Sequence, residues 1–180
     1  MSLLFALIVL FLTILFAILV IYILIVLLKT KVPFVRTPER VINQVLQEIT
    51  IKPTDTVYDL GCGNARFLIT VEKKTGARTI GYEISPWAYF LSQVNIRLRK
   101  AKTIVHYKNF YKADLSPANV VFCFLINSVM PKVGKQLERQ LQPGSTVICF
   151  GFAIKAWQPA KIILTKPDNP RSSKIYIYQR

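Results

Sequence analysis

The stretch that decides the fold is residues 59–66, Asp-Leu-Gly-Cys-Gly-Asn-Ala-Arg, which follows the mainly apolar segment 56–58. A short apolar run of this kind is typical of a buried parallel strand. Two glycines within three residues allow the backbone to turn sharply and to approach a ligand closely. The sequence therefore predicts a strand that turns directly into a helix, with free N–H groups at the start of that helix.

The charge beside the glycines indicates which ligand this turn binds. A Gly-x-Gly pair also occurs in dinucleotide-binding folds, but Arg66 stands where their third glycine would allow close packing. Asp59 disfavours a pyrophosphate, whereas it favours the ammonium and sulfonium groups of S-adenosylmethionine. The chain contains no P-loop pattern. We interpret the turn, with Asp59, Gly61 and Gly63, as an S-adenosylmethionine site.

A second acidic residue supports this interpretation. Glu83 lies twenty residues after Gly63 and ends another apolar segment, 79–82. A carboxylate there can accept both ribose hydroxyls of an adenosine, while Ile84 covers one face of the adenine. The alternative is that Asp59 and Glu83 only cap helices or carry surface charge. The strand, turn, helix and strand spacing favours the cofactor site.

The N-terminal part of the chain indicates a membrane anchor. Residues 2–28 carry no charge, and as a helix they would run roughly 40 Å, enough to cross a hydrocarbon core of about 30 Å. A cleaved signal peptide fits less well, because the run is long, no basic segment precedes it and no small-x-small site follows it. We predict an anchor at 1–28, a juxtamembrane linker at 29–37 and a catalytic domain at 38–180.

Charge predicts the orientation and the partners. The formal net charge is +15, and every charged side chain lies beyond residue 28. The positive-inside bias therefore places the domain on the cytoplasmic side, and anionic lipid headgroups explain the basic cluster next to the anchor. Nucleic acid is a weaker candidate, because no RNA-recognition motif is present and the aromatic residues do not alternate with the basic ones. The basic cluster consists of Lys29, Lys31, Arg36 and Arg40.

Cysteine and histidine usage argues against a metal site. Cys62, Cys123 and Cys149 form no C-x-x-C pair, and His106 is the only histidine. This pattern predicts reduced, structural thiols in a reducing compartment and a histidine without a ligand role.

The rest of the chain alternates between strand and helix patterns. Thr37 is predicted to cap a first helix, with Pro38 in its first turn. We predict an α/β, doubly wound Rossmann-like sheet of five parallel strands with a C-terminal antiparallel hairpin, and ligands beyond the carboxyl ends of the strands. The predicted strands are 56–60, 78–83, 103–107, 120–126, 146–150, 160–165 and 174–178, and the later helices are 65–75, 85–99 and 129–141.

With these motifs, the part beyond the anchor resembles a class I S-adenosylmethionine-dependent methyltransferase. Nearly the whole chain is similar to the membrane-anchored protein-lysine methyltransferases, which include enzymes acting on the adenine nucleotide translocase and on the c subunit of ATP synthase. The segments that carry the similarity are 32–38, 57–63, 81–87 and 109–116. The resemblance implies that Asn109 and Phe110 border the adenine, and that 33–38 links the anchor to the active site. It also implies that the cofactor is held by Asp59, Gly61, Gly63 and Glu83.

The chain departs from that family pattern at two places. Arg36 stands where a proline is usual, and Asn64-Ala65 stands where Asp-Gly is usual. We expect Ala65 to enter the helix without a positive φ. Asn64 removes a carboxylate near the methionine end of the cofactor.

The acceptor chemistry points to the end of the fourth strand. A lysine acceptor must lose a proton, which a basic and partly apolar mouth favours. Asn127 is predicted to face the substrate and to accept a hydrogen bond from the amine, although it can instead cap the helix ahead of Val129. The Asn-Pro-Pro-Tyr tetrad of amide and adenine amino methyltransferases is absent there.

The sequence thus predicts a membrane-anchored S-adenosylmethionine-dependent methyltransferase that N-methylates a lysine of a membrane protein. The alternatives are an RNA methyltransferase, a lipid or small-molecule methyltransferase, and a catalytically degenerate cofactor-binding membrane scaffold.

Overall fold

The computed structural model describes residues 3–30 and 35–180, with side chains described at 3–25 and 35–180. The chain divides into two compact units, Met1–Pro33 and Phe34–Arg180. Part of the predicted linker, residues 31–34, lies outside the described residues.

The first unit contains one helix, α1 (Leu3–Thr30). Its described side chains are exposed, apart from a half-buried Tyr22. By length and composition Leu3–Ile25 fits a helix that crosses a membrane, and a signal sequence near an N-terminus has the same properties.

The second unit is a seven-stranded sheet flanked by helices. The strand order is β3-β2-β1-β4-β5-β7-β6, in which β1 to β5 are parallel and β7 is antiparallel to both β5 and β6. The predicted Rossmann-like sheet with its C-terminal hairpin is therefore confirmed. The strands are β1 (Thr56–Leu60), β2 (Arg78–Glu83), β3 (Ile104–Tyr107), β4 (Val120–Cys123), β5 (Thr146–Phe150), β6 (Lys161–Leu164) and β7 (Lys174–Gln179). The helices are α2 (Glu39–Glu48), α3 (Arg66–Thr75), α4 (Pro86–Leu98), α5 (Met130–Gln140) and a short 3₁₀ helix at Phe110–Lys112.

The core of this unit lies between the sheet and the helices. On α2, the residues Val41, Ile42 and Val45 are fully buried. Phe67 of α3 stacks on Phe122 of β4 with ring centroids 3.9 Å apart. Full burial of each such side chain stabilises the fold by roughly 1.5–3 kcal/mol. Every buried apolar side chain of the described residues lies at or beyond position 41, which assigns all of them to the second unit.

Two predicted boundaries were wrong. Thr37 does not cap α2: the helix begins at Glu39 after Pro38, and no side-chain hydrogen bond caps its N-terminus. β4 ends at Cys123 instead of continuing to residue 126, because the chain leaves the sheet there and Leu125 packs against the turn after β1. The N-cap position of α5 is Val129, which excludes the alternative role of Asn127 as the cap of that helix.

Candidate active site

The turn after β1 is held against the neighbouring strand. Gly61 and Gly63 both have a positive φ, of 85° and 56°, which L side chains rarely adopt. The N–H groups of Gly61 and Cys62 both donate to the carbonyl oxygen of Tyr82, at 2.9 and 3.0 Å. A Cβ at position 61 would lie 3.1 Å from Leu125. The glycines therefore let the chain turn tightly between β2 and the segment that follows β4.

The turn continues through Ala65, contrary to the sequence-based expectation. Ala65 has φ of 60° and is completely buried, and α3 begins only at the next residue. Its N–H donates to the carbonyl oxygen of Cys62 at 2.9 Å. The tight loop requires one more left-handed residue before the helix can start, which costs a non-glycine residue about 1–2 kcal/mol.

Gly81 allows the turn to lie close to β2. A Cβ at this position would fall 2.5 Å from the Sγ of Cys62 and 2.8 Å from a methyl of Leu68. Such distances are too short for nonbonded atoms, so no larger residue fits without movement of the turn. Sequence analysis missed this role, and the only available signal was a glycine inside a strand pattern.

Glu83 organises the backbone at the end of β2. Its Oε2 accepts a hydrogen bond from the N–H of Gly63 at 2.8 Å. Its Oε1 accepts from the N–H groups of Ile84 and Ser85, at 2.8 and 2.7 Å. A carboxylate offers about four acceptor positions, so three are already used. The fourth, on Oε2, is available for a ligand hydroxyl.

Asp59 is a buried carboxylate that borders a cleft. Burial, and then the charge of Glu83, raise the pKa of Asp59 well above 3.8. Among the residues that the structure describes, none donates a hydrogen bond to this carboxylate. The cleft beside it is lined by Gly61, Gly63 and Phe124 among others. A buried acid without a protein donor is suited to a cationic ligand group, so the site fits the ammonium of S-adenosylmethionine.

The residues expected around the adenine lie at the same edge of the sheet. Tyr107 pairs with Glu83 in the register of β3 and β2, and the N–H of Lys108 donates to the Glu83 carbonyl oxygen at 3.0 Å. Asn109 follows, and its side-chain oxygen accepts from the N–H of Tyr111 at 3.0 Å. Phe110 is half-buried, and Ile84 has 37% of its surface exposed. The amide oxygen of Asn109 therefore caps the 3₁₀ turn.

The segment after β4 provides the wall opposite the glycines. Phe124 lines the cleft beside Asp59, and its ring lies 4.4 Å from that of Phe150. Asn127 is exposed in the turn before α5 and its side chain bonds to no described residue. Sequence analysis missed Phe124, because it was assigned to the interior of the strand.

The thiols and the histidine lie outside any cluster that could hold a metal. Within the described residues no group of three or more potential metal ligands is found. All three cysteines are free and buried, and burial together with Asp59 raises the pKa of the Cys62 thiol. His106 is exposed and its ring stacks on that of Tyr82 at 5.5 Å.

The sheet order, the glycine turn and the two acids at the ends of β1 and β2 define a class I S-adenosylmethionine-dependent methyltransferase. Residues 59–161 match the family described as ANTKMT methyltransferase domain. The chain belongs to this family of protein-lysine methyltransferases, so the expectation of a degenerate scaffold is not supported.

Individual relatives agree with this assignment. A protein-lysine N-methyltransferase of Saccharolobus islandicus (strain REY15A) is 33% identical over 150 residues, which cover 82% of this chain and 92% of the relative. The adenine nucleotide translocase lysine N-methyltransferase of Mus musculus is 28% identical over 138 residues, 76% of this chain but only 60% of that protein. The structure also resembles an RNA methyltransferase from Salinibacter ruber solved with S-adenosyl-L-homocysteine. In that comparison the TM-score is 0.74 at 28% identity, over 81% of this chain and 93% of the other.

Proposed function

We propose that this protein is a membrane-anchored enzyme that N-methylates a lysine side chain of a membrane protein. The observation that carries the proposal is a 28-residue helix, uncharged over residues 3–28, joined to a methyltransferase unit that holds every buried apolar side chain of the described residues. The mouse relative is named for a lysine of the adenine nucleotide translocase, which is itself a membrane protein.

The cofactor roles follow from the geometry of the turn. Asp59 binds the ammonium group, since its buried carboxylate has no donor among the described residues. Glu83 binds a ribose hydroxyl through Oε2 while it fixes the N–H of Gly63. When bound, S-adenosylmethionine supplies a methyl group on a positively charged sulfur. Ile84, Asn109 and Phe110 border the adenine.

The acceptor lysine must reach the cleft as a neutral amine. Phe124 supplies an apolar wall, which disfavours an ammonium and so lowers the pKa of the lysine. The excess of basic side chains acts in the same direction. The Asn127 side chain is exposed beyond β4 and bonds to no described residue, so its amide oxygen accepts a hydrogen bond from the amine and orients it.

The membrane side follows from charge. Basic residues cluster directly after the apolar run in the sequence, and this charge supports a second unit on the cytoplasmic side. The nine residues from Lys29 to Thr37, joined by eight peptide bonds, reach at most about 25–30 Å when extended. The acceptor lysine therefore lies close to the headgroups. A reporter fused after Arg180 that matured only on the outer face would contradict this orientation.

RNA is the second candidate acceptor, because the Salinibacter ruber neighbour is described as an RNA methyltransferase. The segment after β4, Phe-Leu-Ile-Asn-Ser at 124–128, lacks the Asn-Pro-Pro-Tyr tetrad expected for amino groups of bases. We therefore favour the lysine acceptor.

Transfer of a labelled methyl group in isolated membranes distinguishes these acceptors. The full chain and its Asp59→Asn variant are incubated with membranes and labelled S-adenosylmethionine, and the label is then extracted with protease, nuclease or organic solvent. With the full chain we expect the label to be incorporated into material from which protease releases it. With the variant we expect no such label. Label released by nuclease alone or by solvent alone would contradict the lysine assignment.

A further inference from the structure

A second pocket lies beside the cofactor cleft, on the helical side of the sheet. Ile69 of α3 and Leu91 of α4 contribute its apolar lining. Its polar lining consists of Arg36, Arg66, Arg99, Asn64 and Asn95. Three arginines and two asparagines thus line one small depression that the proposed methyl transfer does not use.

The positive charge in this pocket is poorly compensated. Arg66 pairs with Glu39 at 2.7 Å, and 68% of the Glu39 side chain is exposed. Among the described residues neither Arg36 nor Arg99 forms an ion pair. Like charges gathered without counter-charges destabilise one another, unless an anion binds between them.

The pocket walls are fixed by hydrogen bonds. Asn95 donates through Nδ2 to the carbonyl oxygen of Asn64 at 3.0 Å, which ties α4 to the loop before α3. The side-chain oxygen of Asn64 accepts weakly from the Arg66 N–H at 3.4 Å. The position of the depression is therefore set by the fold, although its arginines extend from the surface.

Size and donor chemistry limit the ligand. The cavity volume is about 230 Å³, below the roughly 300–1,000 Å³ typical of sites for drug-sized molecules. Guanidinium groups bind phosphate oxygens through paired N–H donors. A compact anion with several oxygens matches both properties.

We propose that this pocket binds a phosphate group. Arg36 follows the end of α1 by six residues, so the covalent chain keeps it within roughly 20 Å of Thr30. A lipid phosphate is thus within reach, and free phosphate offers the same chemistry. The proposal does not depend on which group the enzyme methylates.

The pocket also borders the cofactor site. Arg36, Asn64 and Arg66 line both this pocket and the cleft that contains Asp59. A phosphate bound by Arg36 would hold the segment before α2 against α3. Phosphate binding and cofactor binding are therefore expected to influence each other.

The test follows the side-chain Nε–Hε signals of the arginines by NMR in the full chain in detergent micelles. Inorganic phosphate is titrated against chloride at constant ionic strength. We expect saturable shifts at Arg36, Arg66 and Arg99, and binding at least ten-fold weaker in the Arg36→Gln/Arg99→Gln variant. Arg99→Lys keeps the charge but loses the paired donors, so an intermediate loss is expected.

A matched control removes the same charge elsewhere. Lys135→Gln/Lys166→Gln changes two exposed lysines outside the pocket and should bind phosphate within two-fold of the unmodified chain. The proposal would be overturned if phosphate binding were weakened as much in this control as in Arg36→Gln/Arg99→Gln. It would also be overturned if neither inorganic phosphate nor lipid produced a saturable shift.

A second arm identifies the source of the phosphate. The full chain is placed in nanodiscs of phosphatidylcholine alone or with phosphatidylglycerol, without added phosphate. Both lipids carry a phosphate, so shifts at the three arginines in either nanodisc support a lipid phosphate. Shifts that appear only with inorganic phosphate support a free phosphate as the ligand.

Discussion

Glu83 accepts a hydrogen bond from the N–H of Gly63 at 2.8 Å, across twenty residues of sequence. The acid at the end of β2 therefore holds the glycine turn after β1, in addition to its proposed role in binding the cofactor. Since hydrogen bonds to an ionised group are stronger than neutral ones, this contact links the two halves of the proposed cofactor site.

Removal of the Glu83 carboxylate is expected to weaken cofactor binding. Glu83→Ala leaves three backbone N–H groups without their acceptor, and a charged hydrogen bond contributes about 1.5–3 kcal/mol. Calorimetry with S-adenosyl-L-homocysteine should show affinity lower by roughly ten-fold or more. Glu83→Gln should also bind the cofactor weakly, because the glutamine NH₂ group is a donor and cannot accept the hydrogen bonds of the backbone N–H groups.

Glu138→Gln is the control for this change, because Glu138 is an exposed acid on α5. Equal affinity of Glu83→Ala and the unmodified protein would show that the role of Glu83 is misassigned.

Cofactor binding should depend on pH through Asp59. The pKa of this carboxyl is raised by burial and by Glu83, and a cationic ligand favours its ionised form, so binding lowers that pKa. Affinity for S-adenosylmethionine is therefore expected to be highest above the pKa of the free protein and to fall as the pH drops through it. Asp59→Asn should bind weakly and without this pH dependence. Calorimetry in buffers of different ionisation enthalpy measures how many protons the protein releases when the cofactor binds and Asp59 becomes ionised.

The same shift makes Asp59 destabilising at high pH. Its folded pKa lies above its unfolded value, near 3.8, so the unfolded chain ionises first. The Asp59 contribution to the free energy of unfolding therefore falls as the pH rises from about 4 through the folded pKa. Urea denaturation should show that the free energy of unfolding decreases less over this pH range in Asp59→Asn than in the unmodified protein. A decrease identical to that of the unmodified protein would contradict the assigned shift.

Ala65→Gly is expected to stabilise the protein. Ala65 has φ of 60°, so replacement by glycine removes the cost of the left-handed conformation. The greater conformational entropy of the unfolded chain with glycine offsets part of this gain. The net increase in the free energy of unfolding should be up to about 1 kcal/mol. Ala77→Gly is a matched control, since Ala77 is equally buried but is not among the described residues with positive φ. Ala77→Gly should destabilise, and the same sign at both positions would contradict the account.

Deletion of residues 1–33 should separate catalysis from targeting. The remaining unit keeps every described buried apolar residue, so it should fold and bind the cofactor with nearly unchanged affinity. Methylation of a membrane-bound acceptor should fall much further, because the anchor raises the effective concentration of enzyme and acceptor. Comparison of calorimetry with initial methylation rates on membranes measures both effects. Equal loss of cofactor affinity and rate would contradict this separation.

Sequence patterns predicted most of the fold, because its signals are local. Each of the seven strands has its own apolar run, and the Ser85-Pro86 start of α4 is confirmed by a hydrogen bond from Ala88 to Ser85. The end of β4 was not predictable, because an apolar run does not show where Leu125 leaves the sheet to contact Gly61.

The candidate site was less predictable, because its contacts are tertiary. The spacing of Asp59 and Glu83 indicated the site, yet it did not show that Glu83 binds the N–H of Gly63. The positive φ of Ala65 depends on the tight turn and not on alanine itself. The two departures from the family pattern, Arg36 and Asn64, line a common pocket, which their separation in sequence conceals.

Mass spectrometry of membrane and soluble fractions tests the central claim most directly. Cells that produce the full chain are compared with cells that produce its Asp59→Asn variant, and RNA is analysed in parallel. The account predicts methyl-lysine on a membrane protein, close to a headgroup region, that appears only with the unmodified chain. The account would be contradicted if the methylation that requires the unmodified chain were found only on lysines of soluble proteins, or only in RNA.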